Sequence, residues 1–124
     1  MDGRKRALVV DDDEPIRTML AKMVERQNLD VDTASDGAEA IKRLEQDGYC
    51  VVLLDLMMPR VDGFAVLQYM EDNDPEALRR TIIASAVPET EVLKRFTGPV
   101  YRVHSKPFDI QRLISDIKDC ASAA

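Results

Sequence analysis

The chain has 124 residues, of which 45% are hydrophobic and 32% charged, and its formal net charge is −6. This length and composition predict one globular domain, residues 1–124, built around a single apolar core. No apolar run approaches the roughly 20 residues that span a bilayer, and none has the length of a signal peptide's core, so we expect a cytoplasmic protein without a membrane partner. The acidic balance also disfavours binding to nucleic acid.

Strand-like and helix-like patterns alternate through the first half of the chain. The apolar run Ala7–Val10 predicts a strand buried on both faces. A helix follows, with Pro15 in its first turn and apolar residues at helical spacing: Ile16, Met19, Leu20, Met23 and Val24. Leu29–Ala34 alternates apolar and polar residues, which indicates a strand near the sheet edge. Asp36 then predicts the N-cap of a second helix.

The second half of the chain continues the same alternation. Residues 50–54 form the most apolar run and predict a central strand, and residues 63–70 predict a helix. Residues 81–84 and 99–104 predict two further strands, with a short helix over 89–96 between them. The last helix carries apolar residues along one face, namely Ile110, Leu113, Ile114, Ile117 and Ala121.

Five strand–helix units in succession predict an α/β fold. Such alternation requires parallel strands joined by right-handed helical crossovers, with helices on both faces of the sheet. Five strands favour the flavodoxin-like order 2-1-3-4-5 in a doubly wound sandwich. In sheets of this kind, ligands bind at the carboxyl ends of the strands, near the switch between strands one and three.

Polar residues stand at those strand ends. Asp11, Asp12 and Asp13 follow the first strand, Asp55 the third, Ser85 the fourth and Lys106 the fifth. Clustered carboxylates are the ligands that Mg²⁺ prefers, and a lysine and a hydroxyl beside them suit a developing phosphoryl charge. Each residue alone has a structural alternative: a strand-end aspartate is often only the N-cap of the next helix, as we predict for Asp13. The combination favours a site.

The motifs resemble those of a known family. Leu8-Val9-Val10-Asp11-Asp12, Leu54-Asp55-Leu56-Met57-Met58-Pro59 with Asp62-Gly63, Ser85-Ala86 and Lys106-Pro107-Phe108 together resemble the receiver domain of bacterial response regulators, the CheY-like family. The resemblance covers the chain from Arg6 to about Ala121 and rests on four motifs in order. It implies the same fold that the alternation of strands and helices predicts.

The resemblance also implies a role for each site residue. Asp55 would accept a phosphoryl group. Mg²⁺ would be bound by Asp12, Asp55 and the backbone carbonyl of Met57, with Asp11 acting through water. Ser85 would donate a hydrogen bond to the phosphoryl oxygens. Lys106 would pair with Asp55 or with the phosphoryl group, and the Lys106–Pro107 bond is expected to be cis.

Some positions depart from the family's pattern. Val103 stands where many members carry a switch aromatic, and Tyr101, expected on the same strand face, could replace it or belong to the core. Met57 and Val87 occupy positions that tune the lifetime of the phosphoryl group in the family. Because both are apolar, neither can orient an attacking water, and we expect slow self-dephosphorylation.

The predicted partners follow from the resemblance. A sensor histidine kinase or a histidine phosphotransfer protein would supply the phosphoryl group, and an unidentified protein would read the result. We expect a monomer or weak homodimer that acts as a single-domain regulator or phosphorelay intermediate. It would not be an enzyme beyond its own phosphorylation and dephosphorylation. An interaction module without phosphorylation is an alternative. An aspartate-dependent phosphatase is another, although Met57 stands where that chemistry needs a second aspartate.

Soft metal ligands are few in the sequence. Cys50 and Cys120 are far apart and lack metal-ligand spacing, so two free thiols are predicted. His104 is the single histidine, and we expect it to be a partly exposed residue near the end of a strand rather than a ligand.

Overall fold

A computed structural model describes residues 4–124, so residues 1–3 of the predicted domain lie outside the described part. The described chain folds into an α/β sandwich with a five-stranded sheet of order β2-β1-β3-β4-β5. Every neighbouring pair of strands is parallel. The predicted fold class and strand order are therefore confirmed.

The strands are β1 (Arg6–Val10), β2 (Asp30–Ala34), β3 (Val51–Leu54), β4 (Thr81–Ser85) and β5 (Arg102–Ser105). The helices are α1 (Glu14–Glu25), α2 (Gly37–Gln46), α3 (Gly63–Asn73), α4 (Pro75–Arg79), α5 (Glu89–Arg95) and α6 (Ile110–Ala123). Among the described residues, no helix combines the length and the apolar composition needed to cross a membrane.

Two apolar cores lie on opposite faces of the sheet. The first core joins the sheet to α2, α3, α4 and α5, and the second joins it to α1 and α6. The central strand β3 is buried along its whole length because its residues alternate between the two cores. This burial on both faces explains why its sequence is apolar throughout rather than alternating.

Side-chain caps set where most of the helices begin. Asp13 accepts a hydrogen bond from the backbone N–H of Ile16 and so starts α1, as predicted. Asp36 and Asp62 cap α2 and α3 in the same way. Each cap satisfies a backbone N–H in the first turn of its helix and so fixes the residue at which that helix begins.

Three features of the fold differ from the predictions. The helix α4, capped by Asp74, was not predicted, because five residues are too few to show a periodicity. The strand β5 begins at Arg102 rather than residue 99, since pairing with β4 starts only there. Met19 and Ile110 were placed on buried helix faces, but their side chains are 39% and 41% exposed.

Candidate functional site

The sheet brings the predicted polar residues to one edge. Asp11 directly follows β1, Asp55 follows β3, Ser85 ends β4 and Lys106 follows β5. Backbone hydrogen bonds continue the ladders through these positions. The Asp55 N–H donates to the Val10 carbonyl at 2.9 Å, and the Lys106 N–H donates to the Ser85 carbonyl at 2.8 Å. The backbone positions of Asp55 and Lys106 are therefore fixed by hydrogen bonds to the neighbouring strands.

Three carboxylates meet at this edge. Asp11, Asp12 and Asp55 each offer an oxygen atom, and these atoms all lie within 4.8 Å of one another. Asp11 is fully buried, Asp55 is 3% exposed and Asp12 is open to solvent. Such a set of hard oxygen ligands, open on one side, is suited to a divalent cation that keeps several waters.

The environment of Asp11 is unusual for a buried carboxylate. Its Oδ1 accepts a hydrogen bond from the Asp13 N–H at 2.9 Å, whereas its Oδ2 has no hydrogen-bond partner among the described residues. Burial raises the pKa of Asp11, and the charges of Asp55 and Asp12 act in the same direction. The Asp13 N–H and Lys106 oppose this rise. An unsatisfied buried oxygen beside two more carboxylates fits a bound cation, because a cation would offset the cost of burying it.

Lys106 carries an ammonium group that forms an ion pair with this cluster. Among the described residues, no other lysine does so. Its Nζ lies 3.8 Å from Asp11 Oδ2. The resemblance implied a pair with Asp55 or with a phosphoryl group, whereas here the ammonium faces Asp11. The Lys106–Pro107 peptide bond is cis, as expected.

Ser85 and Asp55 are linked through the backbone that follows each of them. The Ser85 Oγ lies 3.4 Å from both the Leu56 N–H and the Val87 N–H, which donate to it. The Asp55 Oδ1 accepts from the Met57 N–H at 3.2 Å. The hydroxyl is therefore held beside the residue that follows Asp55, on the side of the site away from Asp12.

The loop between β3 and α3 carries Met57. Its side chain is 62% exposed, and the loop closes where the Gly63 N–H donates to the Leu56 carbonyl at 3.1 Å. A side chain at Gly63 would overlap the Asp55 carbonyl oxygen and lie 2.8 Å from the Leu56 Cδ2. Glycine is therefore required here to let α3 begin directly against the phosphoacceptor candidate.

Two residues that the sequence did not single out contact the site's backbone. An Arg17 guanidinium nitrogen on α1 donates to the Asp11 carbonyl at 2.9 Å. The Ser105 hydroxyl on β5 donates to the Val87 carbonyl at 3.2 Å. Both contacts depend on how the elements pack, and no local sequence pattern points to either of them.

The expected switch positions lie on opposite faces of the sheet. Val103 packs against the first core and Tyr101 against the second. The expectation that both share one strand face is wrong, because Tyr101 precedes β5 and the alternation does not extend to it. His104 is not among the residues of the carboxylate cluster; its Nε2 lies 2.7 Å from Asp116 Oδ2 on α6.

Comparisons with known proteins agree with this geometry. A family model described as the response regulator receiver domain matches residues 7–118. The transcriptional regulatory protein TrcR of Mycobacterium tuberculosis is 32% identical over 121 residues, which cover 94% of this chain and 46% of the relative. This chain spans less than half the length of several curated relatives that it matches.

Solved structures are similar over almost the whole chain. A Francisella receiver domain, that of response regulator 1452, is 28% identical with a TM-score of 0.84, covering 97% of this chain and 98% of that one. The Thermotoga maritima response regulator TrrA, solved in complex with Mg²⁺ and BeF, is also 28% identical. Its TM-score is 0.82, and the match covers 94% of this chain and 98% of that one.

Proposed function

This chain belongs to the response regulator receiver domain family, and on that premise we propose that it accepts a phosphoryl group on Asp55 and signals through a protein-interaction surface. The observation that carries the proposal is the convergence at one sheet edge of three carboxylates, a lysine and a serine hydroxyl. Each of these groups has a task in phosphoryl transfer, which depends mostly on positioning and on neutralising charge.

We propose that Asp12, Asp55 and the Met57 carbonyl hold a Mg²⁺ ion, with Asp11 supporting it. Two observations support this assignment: Asp11 Oδ2 has no hydrogen-bond partner among the described residues, and the carboxylate oxygens are clustered. When bound, the ion would offset the negative charge of the carboxylates and of the incoming phosphoryl group. The TrrA structure contains Mg²⁺, and its likeness to this chain makes the same ion the first to test.

In the proposed reaction, a carboxylate oxygen of Asp55 attacks the phosphorus of a phosphodonor. The new O–P bond forms as the bond from phosphorus to the donor's leaving group breaks, and the product is an aspartyl phosphate. Asp55 is 3% exposed, so its carboxylate is held in place by the fold and largely shielded from bulk water. This fixed position lowers the entropic cost of an in-line attack.

Lys106 and Ser85 would bind the phosphoryl group as it is transferred to Asp55. The Lys106 ammonium already lies in the carboxylate cluster, 3.8 Å from Asp11 Oδ2. It would turn to the phosphoryl oxygens as negative charge accumulates there. The Ser85 hydroxyl accepts two backbone N–H contacts at 3.4 Å and keeps its own proton for donation to a phosphoryl oxygen.

The source and the reader of the phosphoryl group are also proposals. A sensor histidine kinase or histidine phosphotransfer protein would be the donor, and the chain would catalyse nothing beyond its own phosphorylation and dephosphorylation. TrcR and the Bacillus subtilis relative PhoP are transcriptional regulatory proteins. This chain spans less than half of each of these relatives, and we propose for it only the receiving step and a protein partner.

The test is intact-mass spectrometry after incubation with Mg²⁺ and acetyl phosphate. We expect a single phosphoryl adduct that is absent from Asp55→Asn and absent when a chelator is added. Asp109→Asn is the matched control, since Asp109 caps α6 and asparagine caps a helix equally well. No adduct on the folded wild-type chain, or an adduct retained in Asp55→Asn, would overturn the proposal.

A further inference from the structure

The N-terminus of α2 is docked onto the loop that follows Asp55. The Gly37 N–H donates a hydrogen bond of 3.1 Å to the carbonyl of Val61. Gly37 is buried, and a Cβ built on it would overlap the Val61 carbonyl oxygen and lie 2.7 Å from its Cγ1. Only a glycine permits the two backbones to approach this closely.

The close approach to Val61 explains why position 37 is glycine, which the requirements of helix formation do not explain. Glycine is among the weakest helix formers, yet Gly37 is the first residue of α2. The start of this helix is already secured by Asp36, whose carboxylate accepts from the Glu39 N–H at 2.8 Å. Since a capped helix accepts most residues at its first position, the contact with Val61 is what requires glycine there.

The docked loop is the one that carries the metal-binding backbone of the proposed site. It runs from Leu56 to Asp62, and its inner end is fixed by the Gly63–Leu56 hydrogen bond and by the Met57 N–H donated to Asp55. Its outer part is held by the Val61 carbonyl against α2. The path of so short a loop depends on both attachments, because few backbone dihedrals are left free between them.

We propose that Gly37 is a positioning residue for the phosphoacceptor site: by docking α2 onto Val61, it sets where the Met57 carbonyl and the Asp55 carboxylate lie. This inference rests on the function proposed above. Gly37 does not touch the metal or the phosphodonor, and it acts only through the loop. The exposed face of α2 is then mechanically connected to the site, and any displacement of this helix is transmitted to the metal ligands.

The experiment is an amide NMR titration of the 124-residue chain with MgCl₂. For Gly37→Ala we expect the amide signals of residues 56–58 and 60–62 to shift already without metal. Mg²⁺ affinity should fall by about tenfold to a hundredfold, the range seen when groups supporting metal ligands are lost. Val61→Ala, which keeps the backbone contact and removes the Cγ1 packing, should act in the same direction by less.

Two controls separate positioning from general destabilisation. Gly48→Ala adds a Cβ where nothing lies within 4 Å, and Ala38→Gly weakens α2 at an exposed neighbour without approaching Val61. Both should bind Mg²⁺ within about twofold of the wild type. Equal weakening in Ala38→Gly, or unchanged affinity in a folded Gly37→Ala, would overturn the inference.

The same titration distinguishes this inference from the function on which it rests. A wild-type chain that shows no Mg²⁺-dependent shifts and forms no adduct contradicts the proposed function. If the metal-free spectra of Gly37→Ala still show the shifts in residues 56–58 and 60–62, the docking stands as a structural finding, but its role in metal binding is lost with that function.

Discussion

The Ser105 hydroxyl donates a hydrogen bond of 3.2 Å to the carbonyl of Val87, and so ties β5 to the loop that follows Ser85. Ser105 directly precedes Lys106, the lysine of the site, and Val87 stands two residues after Ser85, the serine of the site. Val103, two residues earlier on β5, has no polar group to make such a link. The hydroxyl is thus a direct polar connection between the two strands that deliver Ser85 and Lys106.

Removing this hydroxyl should loosen the loop. We expect Ser105→Ala to lower the free energy of unfolding by about 1 kcal/mol, the usual net value of one hydrogen bond. Hydrogen–deuterium exchange at the Ala86 and Val87 amides should become faster while the β1 and β3 amides stay protected. Ser105→Thr keeps a hydroxyl and serves as the control. Unchanged exchange in Ser105→Ala would show that the bond does not hold the loop.

Mg²⁺ should stabilise the folded chain through the carboxylate cluster. At a Mg²⁺ concentration one hundred times the dissociation constant, the expected gain in the free energy of unfolding is about 2.7 kcal/mol, and a chelator should remove it. Thermal unfolding with and without Mg²⁺ measures this gain.

Two neighbouring aspartates provide the matched comparison for that measurement. Asp12→Asn removes one charge from the cluster and should abolish most of the gain, whereas Asp13→Asn should retain it, because Asp13 caps α1 and asparagine caps equally well. A gain of similar size in both variants would place the ion elsewhere.

The aspartyl phosphate should be long-lived. Met57 points into solvent beside Asp55 and Val87 is nearly buried, with side chains 62% and 8% exposed. Neither can orient or deprotonate a water molecule. We expect the Met57→Asn, Val87→Glu double variant to lose the adduct at least about tenfold faster, since a positioned general base contributes on that order or more. Loss of the adduct followed by intact mass measures both rates, and an equal rate in the wild type would contradict the expectation.

Cys120 should make stability fall at alkaline pH. Burial raises the pKa of this thiol from 9.0 to about 11. Between these two values the unfolded chain releases the thiol proton while the folded chain retains it, so the unfolded state gains stability as pH rises. The stabilising contribution is thus complete below pH 9 and lost by about pH 11, a fall of at most about 2.7 kcal/mol at about 1.4 kcal/mol per pKa unit.

Urea unfolding at pH 8 and pH 10.5 tests this effect against Cys120→Ala. The other ionisable groups are common to both chains, so the difference between them isolates the thiol. The wild type should lose more stability than the variant over this interval. Parallel losses in the two chains would mean that the thiol ionises equally in the folded and unfolded states.

The sequence was sufficient for the sheet and for the residues at its edge. Apolar strands such as β3 and the aspartates that follow β1 and β3 are local signals, and parallel topology converts them into spatial neighbours. The helix α4 was missed although Asp74 and Pro75 provide a cap and a first-turn proline. Because this helix is too short to show a helical periodicity of apolar residues, only its cap and its proline indicate it in the sequence.

The contacts that hold the loops in place could not be predicted in the same way. The docking of Gly37 on Val61 and the bond from Ser105 to Val87 join residues distant in sequence, and neither depends on a pattern that repeats. The face of Tyr101 was predicted wrongly, because the alternation of side chains stops where the strand ends. The burial of Met19 was also predicted wrongly, because helical periodicity does not tell how wide the buried face of the helix is. Tertiary packing decides each of these cases.

The burial of both native thiols makes this chain convenient for spectroscopy. Cys50 and Cys120 are 5% and 2% exposed, and burial raises the pKa of each, so they should react slowly with maleimide reagents at neutral pH. Cys50 opens onto the amino end of the sheet, opposite the carboxylates. A cysteine introduced on the exposed surface of α5, for example Leu93→Cys, would therefore take up a fluorophore selectively and report movements of that helix without altering the phosphoacceptor edge.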